Sequence, residues 1–513
     1  MTLYDLFQAR VDAAPDATAI RFFDERTSYG QLAAEVDRIA RGLHALGVET
    51  GDRVLMFAGN SPAVLITYLA AARLGAVFAP VNASFREREG RYIVANAGPK
   101  VAFVEGSLLD EFGGWAEGAV SDLVVVPDAE DRPALPARAT WFDELGRGCP
   151  PAPPAHVSDE AAVLLCYTSG TTSTPKPVLH SHRSEIYNAQ TYASVWGLNS
   201  EDRGVVALPI TWVFGLSTTS MALLTSGGTV VLVERFHPVR VLEAIASHRA
   251  TAMWGTMSMY SKLLEVLKGR PADLSSLRVV VNGGEPCPPP IVEEFESRTG
   301  IRLLGSYATS EVRPVLAERP GSPRQPEGSA GKLVPGAGIF LEDADGNEVP
   351  VGESGHALLR CPGMLTEYYR EPELTADRLT TDGWFRTGDI LSRDAEGHYF
   401  VVGRQTDMII RSGVNIAPAE VESALLAHPD VTDAAVVGIP DPRSGEAVRA
   451  YIVLAAAAAA TAEDLRDATA SQLAAYKMPQ EIIFLDAIPR TATGKLDRGA
   501  LRREGHTATV RGG

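Results

Sequence analysis

Between about residue 30 and residue 281, apolar positions at helical spacing alternate with short β-branched runs, and this alternation narrows the fold more than any other feature. Residues 32–46 (LAAEVDRIARGLHAL) repeat apolar side chains every three or four positions and stop before Gly47. Residues 53–57 (RVLMF) then read as strand, 62–74 as helix and 77–81 as strand again. The strand signal returns at 205–208, 229–233 and 277–281. Such order implies crossover units and largely parallel sheets in an α/β fold. One packed core rarely grows past about 250–300 residues, so a chain of 513 residues is expected to hold at least two domains.

The texture changes near Gly403. The strand signals at 434–437, 449–454 and 482–484 and the helical stretch 462–475 suffice for a small α+β domain. The expected division is therefore 1–403 and 404–513. Residues 128–154, rich in proline and alanine, read as a surface excursion or linker. Formal net charge is −17, and only −2 of it falls after Gly403. A chain this acidic lacks the basic face that nucleic acid or an anionic membrane needs. An anionic substrate must be held by local donors. Cys149, Cys166, Cys287 and Cys361 form no C-x-x-C pair, so reduced cytoplasmic thiols are expected rather than zinc or disulfides. The first residues, MTLYDLFQARVDAAPD, do not have the pattern of a secretory signal. Residues 64–81 are apolar but interrupted by Arg73 and Gly75, so they do not read as a membrane span.

The sharpest local signal is YTSGTTSTPKP at 167–177. A short apolar strand (161–166) runs into six Ser/Thr residues, Gly170 and Lys176. Hydroxyls, backbone N–H groups and one ammonium are what a triphosphate needs to offset its charge. The spacing is not that of a Walker A loop, and the motif alone is compatible with an ordinary polar turn.

Four later segments accompany it in order: YATSE (307–311), GWFRTGD (383–389), GRQTDMIIRSGVNIAPAEVE (403–422) and PRTATGKLDR (489–498). Together the five resemble the superfamily of acyl-CoA synthetases, non-ribosomal-peptide adenylation domains and luciferases, most closely its acyl-CoA ligases. The resemblance implies a large N-terminal α/β region with mixed or parallel sheets and a small, mobile α+β C-terminal domain. It implies an acid activated by ATP as acyl-AMP, then captured by CoA. Thr168, Ser169, Gly170, Thr171, Thr172 and Lys176 would line the phosphates, and Ser310 the α-phosphate. Glu311 would hold Mg²⁺, for which a carboxylate oxygen is apt. Tyr307 would stack on adenine, with Ser306, Ala308, Gly284, Glu285 and Pro286 around the nucleotide. Asp389 would accept the ribose hydroxyls and Arg404 would reach ribose or phosphate. Lys495 would bridge the carboxylate and the α-phosphate. Thr406 occupies the hinge position, and Gly413 would border the CoA channel.

The acyl pocket is expected from residues 210–217, 254–257 and 282–286, that is Trp212, Val213, Phe214, Gly215, Trp254, Asn282 and Gly283. Relatives that take amino acids carry an aspartate in the first segment, and none stands here. A buried unpaired ammonium is costly, so an α-amino acid is disfavoured. Departures from the family pattern cluster at the ATP site: Ser173, Pro177, Ser306 and Ala308 stand where glycines are usual. They leave two alternatives beside the two-step ligase. One is an enzyme that only forms the thioester, from an acyl-adenylate made by a separate enzyme. The other is an inactive nucleotide or acyl-CoA binder.

Overall fold

The computed structural model describes residues 1–504 except 117, 129–134, 137, 154, 169–174, 286, 412–413, 457, 471 and 492–495. The architecture is a large N-terminal α/β region with mixed sheets followed by a smaller C-terminal α+β unit. The largest sheet holds 13 strands among the described residues. Its parallel part passes through Ala252–Gly255, Val279–Gly283 and Leu303–Tyr307. It then turns antiparallel through Leu316–Ala317, Ser329–Leu333, Tyr399–Arg404, Phe385–Arg393 and Ser354–Arg360. That antiparallel half departs from the largely parallel expectation. Its strands, among them the nine-residue Phe385–Arg393 and the seven-residue Ser354–Arg360, mix buried and partly exposed positions and lack the continuous apolar runs that mark a sheet buried on both faces.

Among the described residues the second sheet has eight strands, built around Arg53–Ala58 and Val77–Asn82. The helix between them, Pro62–Leu74, begins with proline in its first turn and ends at Gly75, whose φ of 69° suits only glycine well. All its side chains except Pro62 and Arg73 are buried, which explains why the helix is apolar around its whole circumference. No helix among the described residues is long and apolar enough to cross a membrane.

The stretch 128–154 is more than a linker. Ala139–Trp141 extends the second sheet beside Asp122–Val126. Phe142 and Leu145 enter the main core, and a Cβ on Gly146 would lie 1.9 Å from the Arg38 carbonyl. The prolines and alanines thus lead into a segment packed on the helix Tyr29–Ala45.

The C-terminal sheet joins Ile409–Arg411, Val414–Ile416, Val431–Asp441, Gly445–Leu454 and Glu481–Phe484. The helices Pro418–Leu426 and Ala462–Ala470 contribute Val421, Leu425 and Leu465 to a separate apolar cluster with Val436, Val448 and Ile452. The unit therefore has its own core.

Candidate active site

Parallel strands leave loops at their C-terminal ends, and ligands collect there. Here the strands Ala252–Gly255, Val279–Gly283 and Leu303–Tyr307 end at the floor of a cavity of about 1570 Å³. Its wall continues onto the C-terminal unit through Pro418, Ser423, Asp433 and Arg490.

At one end, Asp389 and Arg404 face each other across neighbouring strands. Asp389 is 5% exposed; its Oδ2 accepts from the Tyr307 hydroxyl at 2.7 Å and its Oδ1 from Arg404 Nε at 2.9 Å. The carboxylate beside it raises the Arg404 pKa still further. Burial, and then Asp389, push the Tyr307 phenol well up, so it stays a neutral donor.

Tyr307 leads into the turn of Ala308, Thr309, Ser310 and Glu311, all on the cavity. The Thr309 side chain caps this turn, accepting from the Val312 N–H at 3.0 Å. Ser306 and Ala308 are not among the positive-φ residues, so glycine is not needed there. Behind the turn, the fully buried Arg313 donates to the Ser310 carbonyl at 2.8 Å and pairs with Glu185, which also accepts from Tyr68. Burial and the Arg313 charge hold the adjoining His180 well below the usual histidine range, hence neutral. This buried network is not visible in the sequence, because Arg313 stands 128 residues from Glu185 and 133 from His180, and none of the three belongs to a motif.

Glu311 Oε1 accepts from the Tyr368 hydroxyl at 2.8 Å. Lys176 also lines the cavity, its Nζ lying 6.0 Å from the Tyr368 ring centre. Burial and then Arg378 lower the Lys176 pKa. Thr168 is the last residue of the strand Ala162–Thr168 and reaches the same space. Pro177 pairs with Tyr167 inside the hairpin and is absent from the cavity wall, so its missing N–H takes nothing from that wall. Ser169, Gly170, Thr171, Thr172, Ser173, Pro286, Gly413 and Lys495 lie outside the described residues.

The other end is apolar. Trp212, Val213 and Phe214 line it, with Met257 and Ile291. They stand at the start of the π-helical Phe214–Met221, a wide turn in which Thr219 and Ser220 both donate to the Gly215 carbonyl at 2.7 Å. Two pocket assignments are corrected. Gly215 faces away from the cavity, against the Pro209 carbonyl, where a Cβ would sit at 2.4 Å. Trp254 is 0% exposed and packs on Trp196 with ring centres 5.7 Å apart; its strand position points it into the core. Asn282, Gly283 and Gly284 do line the cavity. A Cβ on Gly283 would meet Phe214 Cζ at 2.9 Å, and Gly284 has φ +80°. Tyr192 and Thr218, 2% and 4% exposed, add hydroxyls to this wall that no motif had signalled.

Glu285 lines the cavity beside Gly284. Its carboxylate is taken by the Ser258 N–H at 2.8 Å and by Arg490 Nη1 at 3.3 Å. Thr406 also borders the cavity, and its carbonyl accepts from Arg502 at 3.4 Å.

The family described as "AMP-binding enzyme" matches residues 7–369, and its "AMP-binding enzyme C-terminal domain" matches residues 420–495. The chain is 34% identical to an indoleacetate–CoA ligase of Aromatoleum aromaticum, covering 98% of each chain. It is 35% identical to a feruloyl-CoA synthase of an Amycolatopsis species, over 96% of this chain and 97% of the relative. ATP-bound MatB from Rhodopseudomonas palustris superposes with a TM-score of 0.90 at 28% identity, covering 99% of both chains. The apo form of MatB gives 0.80 over the same coverage. Both halves of the chain match, in order and at nearly full length, and it belongs to the family of AMP-binding enzymes.

Proposed function

We propose that the chain is an AMP-forming acyl-CoA ligase, and that its acid is a bulky aryl or cyclic one. The observation that carries this is one continuous cavity. It joins an apolar wall (Trp212, Val213, Phe214) to the polar cluster of Tyr307, Asp389, Arg404, Lys176 and Glu311. About 1570 Å³ exceeds the roughly 300–1,000 Å³ of an ordinary small-molecule site and suits a nucleotide and an acid together. The similarity to ligases named for indoleacetate and to a feruloyl-CoA synthase supports an aryl acid and a thioester product. The same likeness disfavours the thioester-only and inactive alternatives.

Adenylation replaces a poor leaving group by AMP, and the protein's part is to position anions and stabilise transferring charge. Asp389 accepts the ribose hydroxyls, while Tyr307 lies along the adenine. Lys176, with Thr168, Ser169, Gly170, Thr171 and Thr172, receives the phosphates. Ser310 contacts the α-phosphate, and Lys495 draws the carboxylate and α-phosphate together. Glu311 fits Mg²⁺: it is a hard carboxylate on the cavity, with one oxygen free of the Tyr368 bond. The bound ion would neutralise phosphate charge. CoA thiolate then displaces AMP, with Gly413 bordering its channel. We place the domain boundary at 403/404 and the hinge at Thr406.

The test is an acid panel with ATP and CoA, reading pyrophosphate and thioester by chromatography. Aryl and cyclic acids should give both products in equal amounts. Pyrophosphate without thioester, or an α-amino acid as best substrate, overturns the reading.

A further inference from the structure

An ion pair crosses from the large region to the C-terminal unit at the cavity edge. Glu285 stands just after the strand Val279–Gly283, and Arg490 belongs to the C-terminal unit. The Glu285 end is rigidly held. Its Oε2 accepts from the Ser258 N–H at 2.8 Å and its Oε1 from the Ser258 hydroxyl at 3.2 Å. Ser258 lies in the first turn of the helix Met257–Gly269, where backbone N–H groups lack helical partners and favour an anion. Arg490 is held on both sides: Nη1 donates to Glu285 at 3.3 Å and Nη2 to Asp433 at 2.8 Å. The two side chains are 12% and 27% exposed, so water screens the pair only in part.

Arg490 also has a special place in the chain. It forms an antiparallel bridge with Leu496, the residue that follows Lys495 in the chain. Whatever holds Arg490 therefore also holds Leu496, the immediate chain neighbour of Lys495.

We propose that Glu285 is a positioning residue for acyl-AMP formation: by anchoring Arg490 it fixes the bridged Leu496 and so restrains Lys495, its neighbour in the chain. In the proposed reaction Lys495 acts while the carboxylate and the α-phosphate are joined, so the pair serves the first step and not the attack by CoA. This rests on the two-step reading above.

The experiment uses the full-length chain and measures the steps separately. Acyl-AMP formation is followed in single turnovers with ATP and the best aryl acid. Thioester formation is followed from the synthetic acyl-adenylate and CoA. Losing one charge-assisted bond in E285Q should slow acyl-AMP formation by about tenfold or more, with KM for ATP little changed. Thioester formation should not fall. R490Q removes the same bond from the other side and should give the same split, which also covers a folding failure of E285Q. Equal slowing of both steps, or no slowing of the first, overturns the positioning role. A wild-type chain that makes no acyl-AMP overturns the two-step reading, and the positioning role with it.

Discussion

Asp389→Asn isolates the contact on which nucleotide binding should turn. In the native chain Asp389 accepts from Tyr307 through Oδ2 and from Arg404 through Oδ1. Each carboxylate oxygen keeps a further lone pair, which a ribose hydroxyl can use. An amide offers one acceptor oxygen and two N–H donors. In the variant the amide oxygen would stay with Arg404, and the NH₂ would turn to the Tyr307 oxygen. The fold should survive: Arg404 is 47% exposed, so water replaces much of the lost attraction. The ribose then faces one donor where it needs an acceptor. Losing a charge-assisted bond is worth about 1.5–3 kcal/mol, or roughly ten- to a hundredfold in kcat/KM for ATP. The assay is pyrophosphate release with ATP and with 2′-deoxy- or 3′-deoxy-ATP. The wild type should lose about this factor when the hydroxyl is removed, whereas the D389N enzyme should lose little more. If both proteins pay the same penalty on each deoxynucleotide, Asp389 does not touch the ribose and the site is misread.

Lys495→Ala should cut acyl-AMP formation by orders of magnitude and spare CoA transfer from supplied acyl-AMP; equal loss in both steps, measured by rapid quench, would count against the assignment. Gly283→Ala places a Cβ 2.9 Å from Phe214 Cζ, so the ring must yield into the pocket. Its preference for a bulky over a small acid should fall by roughly tenfold, read as a ratio of kcat/KM values; an unchanged ratio would remove Phe214 from the acyl wall. His182 tests the packing of the N-terminus. Its Nδ1 accepts from the Leu3 N–H at 3.1 Å, its Nε2 has no partner among the described residues, and burial pushes its pKa down to about 4. Asp5 and Asp159 oppose that depression and the N-terminal ammonium adds to it. Because the folded pKa lies below the unfolded value of about 6.5, this contribution is complete above it and declines as pH falls towards about 4. Between about pH 7.5 and pH 5 it removes about 2 kcal/mol, and in denaturant melts His182→Gln should lose less stability over that interval than the wild type.

Local chemistry was legible in the sequence because it depends on neighbours in the chain. The helix Pro62–Leu74 has the bounds expected from its proline start and glycine stop. The strands Arg53–Ala58 and Val77–Asn82 lie within a residue of their expected ends, since buried parallel strands are continuous apolar runs. Motif residues such as Tyr307, Glu311, Asp389 and Arg404 do meet on one cavity. Side-chain direction was not legible. Trp254 and Gly215 sit beside pocket residues in the chain but point into the core, because pleat and helix phase, not proximity in sequence, decide which face a residue serves. Contacts between distant segments were invisible for the same reason. Arg313 with Glu185, and Glu285 with Arg490, become pairs only when the sheets and the C-terminal unit are assembled. A charge seen in sequence has no partner until tertiary packing sets which charge stands opposite and how little water lies between them.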